Sequence, residues 1–366
     1  MSRLLVSPLR EGEQPSYGLA RFDQEAASSE GDTIDTNDRR PATIVDVARE
    51  AGVSFKTVSR VLNGEQNVRG ETRVRVMEAV ARLGYRANQH ARSLRAGQSR
   101  LIGVFYSNPS RNYLGEIQIG ALQRGNAEGF SIAFEHLEQG GPPRGGAALA
   151  GAVLIPPLTE DNTLMASLIA AGTPFVRLSH TLAEGEIGHV TMDDEAAAGE
   201  MTRHLIGLGH RRIGFIAGPA SHPQSLLREA GYRASLAAAG LAVDEGLIAR
   251  GTFDYESGLQ AAAQLLSAAP RPTAIFASND DMAAAVLAVA FRSGLRVPEQ
   301  LSVAGFDDTP LASVVYPALT TIAQPSREMA SVAVGMLLEK RASGAGQKAV
   351  LPYRLVVRET TAAPEG

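Results

Sequence analysis

The chain of 366 residues contains no cysteine, which excludes a disulfide framework and any metal site built on thiolates. No apolar run approaches the length of a membrane span, and the opening MSRLLVSPLREGEQPSYG has no apolar core of signal-peptide length. The seven histidines fall into no HExxH or related spacing, and neither a P-loop nor a GxSxG motif occurs. With no poised nucleophile, acid–base pair or metal cluster in view, an enzyme is not expected, and neither is a cofactor or a metal. The absences leave a soluble cytoplasmic protein, and the length predicts two or three domains.

Positive charge is scarce in the whole chain, whose formal net charge is −4, but its distribution is uneven. Residues 41–100 carry a net +6, residues 1–40 a net −3 and residues 101–366 a net −7. A basic head on an acidic body concentrates phosphate attraction in one place. Residues 1–40, rich in Ser, Glu, Asp and Thr without a sustained period, read as a disordered N-terminal tail or an over-long start.

The basic segment has a recognisable shape. In TIVDVAREAGVSFKTVSRVLN (43–63), Thr43 is placed to cap a first helix whose apolar face is Ile44, Val47 and Ala48. Gly52 supplies the left-handed backbone of a tight turn, and Ser54 caps a second helix with Val58, Val61 and Leu62 inward. Phe55, Lys56 and Arg60 are left pointing outward, the pattern of a helix-turn-helix whose second helix enters a major groove. A third helix over Glu71–Leu83 is predicted to bury Val74, Met77, Val80 and Ala81, to expose Arg73, Arg75 and Arg82, and to stop at Gly84. The following piece, QHARSLRAG, permits a helix but is too short to hold one alone in water. Leu94 stands apolar among Arg92, Ser93 and Arg95, which suits either a wedge between base pairs flanked by phosphate clamps or an ordinary linker leucine.

From Thr43 to Leu101 the chain resembles the lactose-repressor (LacI/GalR) family of bacterial transcription regulators, through TIxDVAxxAGVSxxTVSRVLN, the GY at Tyr85 and ARSLR followed by Ile102-Gly103-Val104. That resemblance implies recognition-helix side chains at Phe55, Lys56 and Arg60 and a minor-groove leucine at Leu94, in a hinge helix that folds on the operator. The DNA-contact candidates are thus Thr43, Ser54, Phe55, Lys56, Thr57, Arg60, Asn63, Tyr85, Asn88, Arg92 and Leu94. Ala87 departs from the family, which usually has proline there, so the hinge is entered less rigidly.

From Leu101 onward apolar strand candidates alternate with amphipathic helices, which predicts parallel sheets covered by helices. The strands are Leu101–Tyr106, Ser131–Phe134, Ala152–Ile155, Pro174–Leu178, Ile213–Ala217, Ala274–Ala277 and Leu301–Gly305. The helices are Leu114–Glu128, Leu164–Ala171, Glu195–Leu208, Ser225–Ala239, Tyr255–Ala268, Met282–Ser293 and Ser326–Lys340. The fold class is therefore an α-helical helix-turn-helix head joined to an α/β body of two Rossmann-like subdomains. The resemblance, carried by LGHRRIGFIAGP, SLLREAGY, AIFASNDDMAAAVL, LSVAGFDDTPLA and LTTIAQP, extends to about Arg358 and implies a periplasmic-binding-protein-like body. The expected organisation is a tail (1–40), the helix-turn-helix domain (41–87), a hinge (88–100) and an effector-binding and dimerisation domain (101–360). Its N-subdomain covers about 101–191 plus 325–340 and its C-subdomain about 194–306 plus the C-terminal strands. Crossovers lie near 192, 307–316 and 322.

Ligands of such sheets bind at the carboxyl ends of the strands. Carried over position by position, the effector candidates are Ser107, Arg228, Phe253, Asn279, Asp307 and Gln324; Asn108, Tyr113 and His180 join them from strand-end location alone. Arg228 and Asp307 offer donors and acceptors to vicinal hydroxyls, Asn279 offers both kinds, and Phe253 offers a face to a sugar ring. Asp280 reads equally as a helix cap, and Asp308 as a brace of its loop. One stretch departs from the family: HLEQGGPPRGGAALAG, between the second and third strands, barely meets the length of a parallel crossover. Its Gly and Pro predict an irregular loop and a partly uncovered face. The resulting expectation is a homodimeric, sequence-specific repressor, released from a palindromic operator by a sugar-like effector. A corepressor-type regulator sensing a purine and a solute-binding protein without regulatory role are the alternatives.

Overall fold

A computed structural model of the chain describes residues 42–62, 64–65, 67–85, 99–138, 141, 148–179, 187–343 and 347–365. The chain divides into two compact units, the first ending at Ala87 and the second beginning at Asn88.

In the first unit, α1 (Ile44–Glu50), α2 (Phe55–Leu62) and α3 (Gly70–Arg82) enclose a small core. Thr43 and Asp46 form a reciprocal capping box, Thr43 N–H donating to Asp46 Oδ2 at 2.9 Å and Asp46 N–H to Thr43 Oγ1 at 3.3 Å. Gly52 turns the chain at φ +63° and Gly84 ends α3 at φ +57°, as a residue without Cβ can. Val47, Ala48, Val58 and Val61 are buried, as their spacing requires. The third helix corrects the sequence expectation. It buries Val76 and Ala79, with Val80 and Leu83 packed beside them, and leaves Val74, Met77 and Ala81 exposed. Both sets have helical period, so spacing alone could not choose. Arg75 and Arg82 are exposed, whereas Arg73 is half-buried and donates to the Glu65 carbonyl at 2.7 Å.

The second unit holds two parallel sheets. In the first, the order is β11-β5-β4-β3-β1-β2, from β1 (Leu101–Tyr106), β2 (Ser131–His136), β3 (Gly151–Leu154), β4 (Phe175–Leu178), β5 (Gly188–Thr191) and β11 (Lys348–Val350). The second runs β7-β6-β8-β9, from β6 (Ile213–Ala217), β7 (Ile248–Arg250), β8 (Ala274–Ala277) and β9 (Ser302–Ala304). An antiparallel pair, β10 (Thr321–Ala323) and β12 (Arg354–Val356), completes the strands. In both sheets the second strand lies outside the first and the later ones on its other side, so each has a topological switch point beside its first strand.

The helices that cover the sheets are α4 (Arg111–Ala127), α5 (Asn162–Ala170), α6 (Asp194–Gly207), α7 (Pro223–Ala238), α8 (Tyr255–Leu266), α9 (Asp280–Arg292), the short α10 (Pro310–Val314) and α11 (Ser326–Ser343). The expected strands and long helices are present with ends shifted by a few residues. The strands β5, β7 and β10, of three or four residues each, are not among the expected ones; of the C-terminal strands, expected in the C-subdomain, β11 joins the first sheet and β12 pairs with β10. Most of the 137–151 link lies outside the described residues, but its ends do more than connect. Leu137 is buried and Leu149 packs with Phe105, Leu154, Leu158 and Phe175, so the link's own ends help α5 to cover that face. The edge strand β2 is nowhere fully buried.

Tight helix packing accounts for one of the body's glycines, Gly231, and not for another, Gly207. At the crossing of α6 and α7, a Cβ on Gly231 would sit 2.1 Å from the Glu195 carbonyl oxygen, while Gly207 has nothing within 4 Å. Gly231→Ala is expected to destabilise the protein by about 1–3 kcal/mol, as overpacking does. Gly207→Ala is expected to be neutral or to stabilise by up to about 1 kcal/mol. Urea unfolding of both variants checks the contrast.

Candidate functional site

On the head, α2 presents Phe55, Lys56 and Arg60 to solvent, while Val58 and Val61 anchor the helix behind them. Arg60 forms a loose, exposed ion pair, 3.7 Å from Glu65, which leaves its guanidinium cheap to redirect. Ser54 accepts from Thr57 N–H at 3.2 Å and lies 2.9 Å from its hydroxyl, which fixes the start of α2. Thr43 is similarly occupied by its capping box, and Tyr85 is half-buried against the head core. Asn63, Asn88, Arg92 and Leu94 lie outside the described residues.

In the body a narrow cleft opens where the carboxyl ends of the two sheets face one another. Its lining follows strand ends throughout: Asn108, Ser110 and Tyr113 after β1, Pro156 after β3 and Ser179 after β4 on one side. On the other are His222, Gln224 and Arg228 after β6, Phe253 after β7, Asn279 after β8, Asp307 after β9 and Gln324 after β10. Seven of the nine residues singled out from the sequence are thus brought together. Ser107 is half-buried behind β1 and does not line the cleft, and His180 lies outside the described residues.

Arg228 is the centre of the site. Its guanidinium, 5% exposed, donates to Asp194 Oδ1 at 2.8 Å, to the Ser278 carbonyl at 2.7 Å and to Gln324 Oε1 at 2.9 Å. It stacks 3.6 Å from the centroid of Phe306 and lies 3.6 Å from Asp307 Oδ1. Burial pushes the carboxyls of Asp194 and Asp307 above the ordinary range, and the guanidinium opposes that rise in both. His222 packs edge-on against Phe253, with ring centroids 5.2 Å apart. Burial, and then the Arg228 cation, bring its imidazole down from 6.5 to about 4, so it is neutral at physiological pH.

Among the described residues, the non-glycine residues at positive φ are Ser179 (52°), Phe253 (64°), Asp307 (115°) and Asp308 (53°). Three line the cleft and the fourth adjoins it, the clustering expected where strain is stored at a functional site. Gly218 makes room for Phe253, because a Cβ there would lie 2.2 Å from its ring. Gln224 Oε1 is sealed from solvent without a hydrogen-bond partner among the described residues, which costs about 1–3 kcal/mol, whereas the Ser179 side chain hydrogen-bonds that of Tyr113. Such an orphaned atom is where a polar ligand gains most.

Neighbouring residues have structural duties. Asn279 caps α9 through Met282 N–H at 3.0 Å and donates to the Phe253 carbonyl at 2.9 Å, so much of its capacity is already used. Asp280 is not the cap. It accepts from Thr309 N–H at 2.8 Å and from the Thr321 hydroxyl at 2.6 Å, bracing the crossovers, and burial raises its carboxyl to about 7. Asp308 pairs with Arg358 at 2.6 Å, the brace expected of it.

Residues 43–88 match the description "Bacterial regulatory proteins, lacI family", and residues 202–361 match "Periplasmic binding protein-like domain". The chain belongs to the LacI family of bacterial transcription regulators. It is 33% identical to catabolite control protein A of Priestia megaterium, over 87% of this chain and 99% of that one. It is 36% identical to the HTH-type transcriptional regulator CelR of Thermobifida fusca, over 88% and 99% of the two chains. With the lactose operon repressor of Escherichia coli K12 it shares 32% identity over 89% and 92%. Among solved structures it resembles the lac repressor dimer bound to operator and the anti-inducer ONPF, with a TM-score of 0.75 at 32% identity over 88% of this chain and 100% of that one. It also resembles the CelR–cellobiose complex, with a TM-score of 0.66 at 31% identity over 87% and 99%.

LacI-family members are transcriptional regulators rather than enzymes, and this one has the family's helix-turn-helix head and α/β body. Among the described residues no helix is long and apolar enough to cross a membrane. The cleft residues missed by sequence reading are Ser110, Pro156, Ser179, His222 and Gln224. Their one available signal was position just after a strand, and only the fold shows which way such residues turn. Asp194, the direct partner of Arg228, gave no sign beyond its place at a helix start.

His222 takes up a proton in the unfolded chain near 6.5 and in the folded chain only near 4. Its neutral form thus contributes stability that is complete above about 6.5 and lost as the pH falls towards about 4. His222→Gln is expected to flatten the loss of stability between pH 7 and pH 5, read from urea midpoints against the unaltered protein.

Proposed function

We propose that this LacI-family regulator is a cytoplasmic, homodimeric repressor that leaves a palindromic operator when a neutral sugar occupies the body cleft. The observation that carries the reading is the lining of the cleft. Hydroxyl, amide and carboxyl groups converge from both lobes around the aromatic side chains of Phe253 and Tyr113, as recognition of a polyol ring requires. Arg228 is already matched by Asp194 and Gln324, and Asp307 adds a second carboxyl, so an anionic effector would meet an excess of acid. The cellobiose bound to CelR and the operator bound to the lac repressor support the same assignment.

In this reading α2 enters the major groove with Phe55, Lys56 and Arg60. The hinge segment 88–100, with Arg92 and Leu94, is assigned the minor groove by family resemblance. An effector that binds one arrangement of the lobes more tightly shifts the population towards it, and the heads with it. Dimerisation is supported by apolar surface at the end of α9 and around α10, where Phe291, Val314 and Tyr316 are 84%, 75% and 92% exposed. They flank a groove also lined by Leu295, Val297 and Pro317, a combination that a second copy would cover.

Fluorescence anisotropy on DNA from the protein's own upstream region tests the function, with cellobiose, ribose, glucose 6-phosphate and hypoxanthine as probes. Selective binding relieved by a neutral sugar is expected. Relief by the phosphorylated sugar, or tightening by the purine, would replace this reading with the corresponding alternative. Asp307→Asn and Phe253→Ala are expected to weaken the sugar response at least about tenfold, with operator affinity in its absence unchanged. Phe291→Asp combined with Tyr316→Asp is expected to yield monomers in analytical ultracentrifugation and to cost about a hundredfold in operator affinity, as loss of bivalency does.

A further inference from the structure

Three consecutive residues at the start of α9 have three different duties. Asn279 lines the cleft, Asp280 braces the crossovers, and Asp281 reaches across to the other lobe. Asp281 itself does not line the cleft. Its carboxylate accepts from the Ser110 hydroxyl at 2.6 Å and from Asn112 Nδ2 at 2.5 Å. Both donors belong to the first turn of α4 or its cap, on the lobe built around β1. Ser110 and Asp281 are buried, so these charge-assisted bonds work with little competition from water.

The donors are themselves tied to the cleft. Ser110 Oγ caps α4 by accepting from Tyr113 N–H at 3.3 Å, and Ser110 N–H donates to Asn108 Oδ1 at 2.9 Å. Asn108, Ser110 and Tyr113 are the wall that the first lobe contributes after β1. The carboxylate also faces the N-terminus of the 17-residue α4, where a negative charge is favoured by the helix dipole. A single side chain thus links the wall of one lobe to the helix that carries Asn279 in the other.

We propose that Asp281 is a positioning residue of the cleft, whose bridge to Ser110 and Asn112 holds the two lobes closed and sets the gap between their walls. Only its consequence for effector affinity rests on the reading of the cleft as the effector site. The lobe separation itself is independent of that reading.

Because the chain has no cysteine, two introduced ones label it cleanly. Ala166→Cys on α5 and Gln260→Cys on α8 place spin labels at exposed positions, one on each lobe. Electron–electron double resonance on the full chain without ligand, with labelled protein diluted into an excess of unlabelled protein so that each dimer holds at most one labelled protomer, then reads the lobe separation. The protein with Asp281 intact is expected to give one short, narrow distance. Asp281→Ala is expected to raise the population at longer distances at least about tenfold. Ser110→Ala with Asn112→Ala removes the same bridge from the opposite lobe and is expected to give the same distribution, which keeps the test available if Asp281→Ala folds poorly. Distributions unchanged in both variants would overturn the proposal.

Discussion

A guanidinium leaves water only when its donors find partners, and in this protein Arg228 finds them on four different segments. Asp194 holds it from the start of α6, Ser278 from the end of β8, Gln324 from the end of β10, and Asp307 approaches from the crossover after β9. Removing Asp194 would deprive the guanidinium of its hydrogen-bonded carboxyl, and breaking a buried ion pair in this way typically loses about 3–5 kcal/mol. The segments that meet at Arg228 are those that connect and line the two lobes. The ion cluster therefore constrains the chain crossovers and the cleft together.

Around that constraint the cleft is shaped at the expense of local comfort. Ser179, Phe253 and Asp307 hold backbone conformations that L-residues avoid, and the amide oxygen of Gln224 goes unpaired. The cores on either side are densely apolar, built around Phe215, Phe276 and Phe306 in one lobe and around Ile102, Ile117 and Leu178 in the other. Rigid sheets can carry such strain because their packing over-determines the loops between them. A ligand that satisfies the Gln224 amide oxygen would recover part of that cost, and under the proposed function it does so to different extents in different lobe arrangements. Coupling to the head follows from that difference.

Much of the architecture was legible from periodicity. Continuous apolar runs such as Ile213–Ala217 and Ala274–Ala277 became buried central strands with the expected limits. Short strands with polar residues, such as Ile248–Arg250 and Lys348–Val350, lack any period to detect and exist because an edge is available to pair with. The buried face of α3 was misjudged because two apolar stripes with the same spacing compete there and tertiary contact chooses between them. The cleft was legible to the extent that its residues follow strands. What stayed hidden was the traffic between them: that Asn279 spends its amide on a cap and a carbonyl, that Asp194 answers Arg228, and that Asp281 reaches the opposite lobe.

The central claim is that the cleft and the head are coupled, and coupling is reciprocal. Isothermal titration of the sugar that relieves operator binding, into free protein and into the preformed operator complex, measures it directly. The two sugar affinities should differ by the same factor as the operator affinities with and without sugar, weaker in the complex. Equal sugar affinities for free and operator-bound protein would contradict the coupling, however tightly the sugar bound.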